Sequence, residues 1–230
     1  MDGGNARAGR VSAVPGSIRA LIFDCDGTLV DSEVPSMDVI HEQACALGVV
    51  FTREQAHQQF RGARMADCIA WIAAQLPQVD HGFAEDFARK VRAEQALRFA
   101  QRLDVIPGAF ELLGALQIPF CVATNGPREK VELTLGLTGL RRFFPEHIFS
   151  AYEVGIFKPD PGLFLHAAQV LGVAPEHCAV VEDSLPGIQA GLAAGMQVFS
   201  LLPAADLQPE MAGQVVCIRD LTDLAAMVGT

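Results

Sequence analysis

Asp24 and Asp26 stand one residue apart at the end of an apolar run, and Gly27 and Thr28 follow at once. Carboxylates at i and i+2 of an extended chain share a direction, so both face one site while Cys25 points away into packing. Gly27 lets the backbone turn sharply off that run. Three further polar groups follow apolar stretches: Thr124-Asn125-Gly126 before Pro127, Lys158-Pro159-Asp160-Pro161 some residues past the run at 148–151, and Glu182-Asp183-Ser184. Among the side chains of these segments are four carboxylates (Asp24, Asp26, Glu182 and Asp183), a lysine (Lys158) and a hydroxyl (Thr124) that could share one site. Brought to one place without a counter-charge, the acids would repel one another, and a hard cation with oxygen ligands resolves that repulsion. Mg²⁺ fits, because it needs few protein oxygens and keeps positions for water and phosphate.

The elements that must position these residues are legible as alternation. Apolar runs at 18–24, 118–125, 148–151, 178–183 and 196–202, with a weaker one at 215–218, read as strands of a parallel sheet covered on both faces. Helical stripes lie between them. Ala109, Leu112, Leu113 and Leu116 follow the i, i+3, i+4, i+7 spacing. Pro161 can start a helix faced by Phe164, Ala168 and Leu171 and closed by Gly172. Ser184 can cap another. The fold class is therefore α/β, a Rossmann-like doubly wound parallel sheet. Ligands of such sheets bind at the carboxyl ends of the strands, where all four polar groups fall.

Between the first and second strands the pattern is helical only. Met37, Ile40, Ala44 and Leu47 make one stripe closed by Gly48, Thr52 with Gln55 reads as a capping box, and amphipathic stretches cover 65–76 and 83–102. An insert of that size exceeds an ordinary loop. The expected organisation is a flexible tail at 1–16, an α/β core at 17–32 and 105–230, and an all-helical cap at 33–104.

With 17 basic and 27 acidic residues, a net charge of −10 argues against nucleic acid or an anionic membrane as partner. An anionic substrate must then be attracted locally, by a metal and a few placed cations. The six cysteines lack C-x-x-C spacing and sit mostly in apolar runs, which predicts reduced, buried thiols, Cys25 among them. There is no apolar stretch of signal-peptide length at the start and no run of about 18 apolar residues, so a soluble, cytoplasmic monomer is expected.

The segment Phe23-Asp24-Cys25-Asp26-Gly27-Thr28-Leu29-Val30-Asp31-Ser32 resembles the first motif of the haloacid dehalogenase superfamily. Thr124-Asn125-Gly126, Lys158-Pro159-Asp160-Pro161 and Glu182-Asp183-Ser184 resemble its second, third and fourth motifs, in the expected order. The helical insert is similar to the cap of the subgroup containing phosphoglycolate phosphatases, β-phosphoglucomutases and 6-phosphogluconate phosphatases. Residues 124–127 and 158–168 look most like the last of these.

The resemblance implies a Mg²⁺-dependent phosphatase acting on a small phosphorylated metabolite, a sugar phosphate or a sugar-acid phosphate such as 6-phosphogluconate. It casts Asp24 as the nucleophile that becomes an aspartyl phosphate, and Asp26 as general acid and base. It also implies Mg²⁺ bound by Asp24, the Asp26 carbonyl and Asp183, with Glu182 in support. Thr124, Asn125 and Gly126 would hold phosphoryl oxygens and Lys158 their developing charge. In the cap, Arg61, Gly62 and Arg64 look like a substrate loop, while His41 and Trp71 read as structural. A dehalogenase needs neither Asp26 as acid and base nor a metal, so Asp26-Gly27 argues against that rival; two others stand beside it. β-Phosphoglucomutases carry a histidine ten residues past the second aspartate, where this chain has Ser36, a departure that favours hydrolysis. A non-catalytic, receiver-like phosphate binder would have no use for so large a helical insert.

Overall fold

The computed structural model describes residues 18–228; the expected tail at 1–16 lies outside them. The chain order is β1 (Ala20–Phe23), α1 (Glu33–Ala46), α2 (Arg53–Phe60), α3 (Met65–Ala73), α4 (Phe83–Gln101) and α5 (Ala109–Ala115). It continues with β2 (Phe120–Thr124), α6 (Arg128–Thr138), β3 (Ile148–Ser150), α7 (Ala151–Val154) and α8 (Gly162–Leu171). Last come β4 (Cys178–Glu182), α9 (Leu185–Ala193), β5 (Gln197–Ser200), β6 (Val215–Cys217) and α10 (Leu221–Val228).

The strands form one parallel sheet in the order β3-β2-β1-β4-β5-β6. In β1, Leu21 and Phe23 face a layer built with α5, α6 and α10, and Ala20 and Ile22 face the opposite layer with α8 and α9. Every β1 side chain is buried, so the strand has to be apolar at each position. This is the doubly wound sheet expected from the alternation, and each strand lies within its expected run. Because β1 stops at Phe23, Asp24 and Asp26 stand just past the strand, where an isolated bridge joins Asp26 and Val30.

Helices α1–α4 enclose a core of their own, with Ile40, Phe60, Ile72, Phe87 and Val91 at its centre. They leave and rejoin the sheet through a narrow neck, in which the Asp31 N–H donates to the Asp104 carbonyl at 2.9 Å and that of Ile106 to Leu29 at 3.0 Å. The Thr52–Gln55 capping box forms, and Trp71 packs against Phe51 and Phe60. The α1 stripe is shorter than expected. Leu47 is 43% exposed, because the helix has already ended at its cap and no longer aims that side chain inward. Among the cysteines, Cys25 is buried and all six are free, but Cys45 and Cys217 are exposed, contrary to expectation. No described helix is long and apolar enough to cross a membrane.

Candidate active site

All four motifs meet at one cavity lined by Asp24, Asp26, Thr124, Lys158 and Asp183 together with residues of the insert. The Lys158 ammonium donates to Asp24 Oδ1 and to Glu182 Oε1, both at 2.6 Å. Burial acts against the charged lysine, yet Asp24 and Glu182 outweigh it and raise its pKa above the ordinary value. Lys158 is thus a fixed cation at this depth. Its loop is held by Asn125, whose side chain accepts from the Lys158 N–H at 2.9 Å and donates to its carbonyl at 3.2 Å. Thr124 is buried and its hydroxyl accepts from the Gly126 N–H at 3.0 Å, which shapes the turn that leads into α6.

Asp24, Glu182 and Asp183 each bring an oxygen within 4.8 Å of the others. Burial first, and then Glu182 and Asp183, push the Asp24 carboxyl well above its ordinary value against the pull of Lys158. Asp183 is raised in the same way, by burial and by Glu33 and Glu182. The donor set fits a small hard cation: it is enclosed, oxygen-only and over-acidic. Glu182 is the brace of this set. Its Oε2 accepts from the N–H groups of Asp183 and Ser184 and from the Ser184 hydroxyl. Ser184 in turn caps α9 through the Gly187 N–H. A β-carbon on Gly187 would stand 1.8 Å from Glu182 Oε1, so only glycine lets the helix close over this acid.

Asp26 is held differently. Ser32 donates to its Oδ1 at 2.5 Å, and the Lys130 ammonium lies 2.9 Å from the same oxygen. Burial disfavours the Lys130 charge, but Asp26 and Glu33 more than offset it and its pKa lies above the ordinary lysine value. Glu33 faces the same space, with Oε2 buried and unpartnered and its pKa raised by burial to about 7. Lys130, Glu33, Ser36, Arg92 and Gln95 line the cavity and were absent from the expected site. They project from helices rather than from strand ends, so the strand-end rule could not find them. The only sequence signal was that Lys130 falls in the first turn of a helix that begins at a phosphate-loop motif.

The insert loop divides its arginines. Arg64 lines the cavity, paired with Asp67 through two bonds of 2.7 and 2.8 Å. Arg61, expected at the substrate, is drawn instead to the nearest undercompensated buried acid and donates to Asp183 Oδ2 at 3.1 Å. Gly62 between them has φ +68°, and a β-carbon there would stand 2.6 Å from Ser184 Cβ. The loop therefore touches the core where a side chain is missing. Gly62→Ala is expected to lower Tm by about 2–6 °C from the left-handed backbone alone. It should also depress kcat/KM by lifting the loop off Ser184; a variant matching the original in both would show that this close approach is dispensable.

The sequence profile of the haloacid dehalogenase-like hydrolases matches residues 18–195. The 6-phosphogluconate phosphatase of Escherichia coli K12 is 36% identical over 210 residues, which span 90% of this chain and 93% of that protein. The phosphorylated carbohydrates phosphatase of Thermotoga maritima is 29% identical over 183 residues, 78% of this chain and 83% of its own length. Among solved structures, a haloacid dehalogenase-type hydrolase of Deinococcus radiodurans R1 with bound phosphate and sodium superposes with a TM-score of 0.70. It is 31% identical, and the match covers 92% of this chain and 95% of that one.

Proposed function

This chain belongs to the haloacid dehalogenase-like hydrolases and is a phosphoric monoester hydrolase, and we propose that it dephosphorylates a small phosphorylated sugar or sugar acid with Mg²⁺ as the required ion. The carrying observation is that Lys158 holds Asp24 at 2.6 Å inside a cluster of buried acids, beside the Thr124 loop. In this reading a bond forms from Asp24 to phosphorus as the bond to the ester oxygen breaks, giving an aspartyl phosphate and an alcohol. Water then splits the aspartyl phosphate and releases inorganic phosphate. Asp26 gives its proton to the departing oxygen and later takes one from the attacking water. The Thr124 hydroxyl and the N–H groups opening α6 hold phosphoryl oxygens, and Lys158 balances the charge that grows on them. Mg²⁺, held by Asp24, the Asp26 carbonyl and Asp183 with Glu182 behind, would neutralise the acids and the phosphoryl charge when bound.

The substrate class is supported by the insert's share of the cavity wall. Ser36 is buried with an unpartnered hydroxyl, and Gln95, Arg64 and Arg92 line the same space. Hydroxyl and amide groups suit a polyol chain, and arginines suit a carboxylate at its far end. We therefore expect 6-phosphogluconate, the substrate naming the Escherichia coli relative, to be turned over fastest. Ser36 carries no group able to serve as a base near neutral pH, which favours hydrolysis over mutase chemistry.

A phosphometabolite panel assayed with Mg²⁺ or with chelator tests this. Sugar-acid phosphates should exceed glycerol phosphate and p-nitrophenyl phosphate, all of them inactive under chelation; a panel led by glycerol phosphate would remove the sugar-acid reading. Arg64→Ala is expected to raise KM for the sugar acid about 10–100-fold and leave that for p-nitrophenyl phosphate near its original value. Arg61→Ala should instead lower the Mg²⁺ concentration needed for half-activity, since Arg61 pairs with Asp183 and competes with the cation for that charge. Equal KM effects on both substrates would take Arg64 out of recognition.

A further inference from the structure

We propose that Lys130 is a positioning residue for Asp26, fixing the carboxylate so that one of its oxygens is presented to the leaving group; this rests on the phosphatase reading above. The ammonium of Lys130 lies 2.9 Å from Asp26 Oδ1, and the Ser32 hydroxyl donates to that oxygen at 2.5 Å. Two donors on a single oxygen fix the rotation of the carboxylate about its last bond. They also dictate which oxygen can carry a proton, because Oδ1 has two donors pointing at it already. The remaining oxygen, Oδ2, is on the side of the phosphoryl loop: a β-carbon on Gly126 would stand 3.3 Å from it.

Lys130 is itself held from behind. Its ammonium lies 5.9 Å from the centre of the Phe99 ring, within cation–π range, and Phe99 is a buried residue of α4. The same helix brings Arg92 and Gln95 to the cavity. The lysine therefore spans the seam between insert and core, with an insert ring on one side and the acid on the other. Labour is divided between the buried Lys158 and the half-buried Lys130. Lys158 serves Asp24 and Glu182, and Lys130 serves Asp26.

In the first step the bond from phosphorus to the ester oxygen breaks, that oxygen takes the proton of Asp26 Oδ2, and the alcohol leaves as Asp24 becomes phosphorylated. Lys130 keeps all its protons throughout. A misaimed Asp26 should therefore hurt most when the leaving group needs protonation and least when it does not.

The test measures kcat/KM of the full chain, wild type and Lys130→Met, on p-nitrophenyl phosphate and on the alkyl phosphate that the wild type cleaves fastest. This constant covers only the steps up to departure of the leaving group, so slow hydrolysis of the aspartyl phosphate does not mask the comparison. The expected loss is about 100-fold on the alkyl ester and under about tenfold on the aryl ester. Lys130→Arg should recover most of the alkyl activity. Ser32→Ala, which removes the other donor, should show the same split at smaller size, and these two variants decide the matter if Lys130→Met does not fold. Equal losses on both esters, or no loss on either from folded variants, would overturn the assignment. A wild type inactive on every ester would overturn the phosphatase reading itself.

Discussion

Asp24→Asn is expected to lower turnover by about 10⁴-fold or more while the protein stays folded. The amide keeps the shape of the carboxylate but is a poor nucleophile, so the aspartyl phosphate cannot form. Stability should not suffer. Asp24 is only 8% exposed, and burial together with Glu182 and Asp183 makes its charge unwelcome in the metal-free protein despite Lys158. When that charge is removed, Lys158 keeps its 2.6 Å bond to Glu182. The metal-free variant should therefore melt no lower than the metal-free original. Acid-quenched mixtures of wild-type enzyme and substrate should contain protein phosphorylated at residue 24, and mixtures of the variant none. Activity within tenfold of wild type, or a phosphoryl group trapped on another residue, would refute the role of Asp24.

Chelation of divalent ions should abolish activity and also change how stability depends on pH. Asp24 and Asp183 have pKa values well above the ordinary 3.8, and Glu33 rises from 4.5 to about 7. A folded state with raised carboxyl pKa values binds protons more tightly than the unfolded chain does. Its stability is then full below the ordinary carboxylate range and falls as pH rises from there through the raised values. The metal-free protein should thus melt several degrees higher near pH 5 than near pH 8, and Mg²⁺ should recover the difference at pH 8. Differential scanning fluorimetry with and without chelator measures this. A flat profile, or full activity in a stripped preparation, would remove the cation from the account.

The sheet and the residues at its edge were legible for the same reason. A strand buried on both faces must be apolar throughout, so its end shows as an abrupt change to polar residues, and in this architecture that change is where ligands bind. Asp24, Thr124, Glu182 and Asp183 all lie at such changes, and Lys158 in the loop before α8. Residues that reach the cavity from helices gave no such signal. Lys130 reads in sequence as one more lysine on an amphipathic helix, and only the placement of α6 against α4 brings it half under cover beside Phe99. Arg61 and Arg64 looked equivalent, being three apart in one loop. The positive φ of Gly62 and the local excess of acid around Asp183 send them to different places, and both are tertiary facts. Leu47 failed for a simpler reason, since a stripe stops predicting burial once its helix stops.

The place of β1 in the middle of the sheet has a consequence for synthesis. Leu21 pairs with Phe120 and Ala20 with Cys178. Among the described strands β1 leaves the ribosome first and must therefore wait for partners from the middle and the last third of the chain, roughly 5–30 s behind it at ordinary rates of elongation. During that wait an apolar ribbon with open hydrogen-bonding edges is exposed, the kind of segment chaperones bind and neighbouring nascent chains can pair with. The insert can meanwhile close its own core from local contacts. A chain cut short before residue 120 would thus leave a folded helical lobe attached to an unpaired nucleophile strand, prone to aggregate and without catalysis.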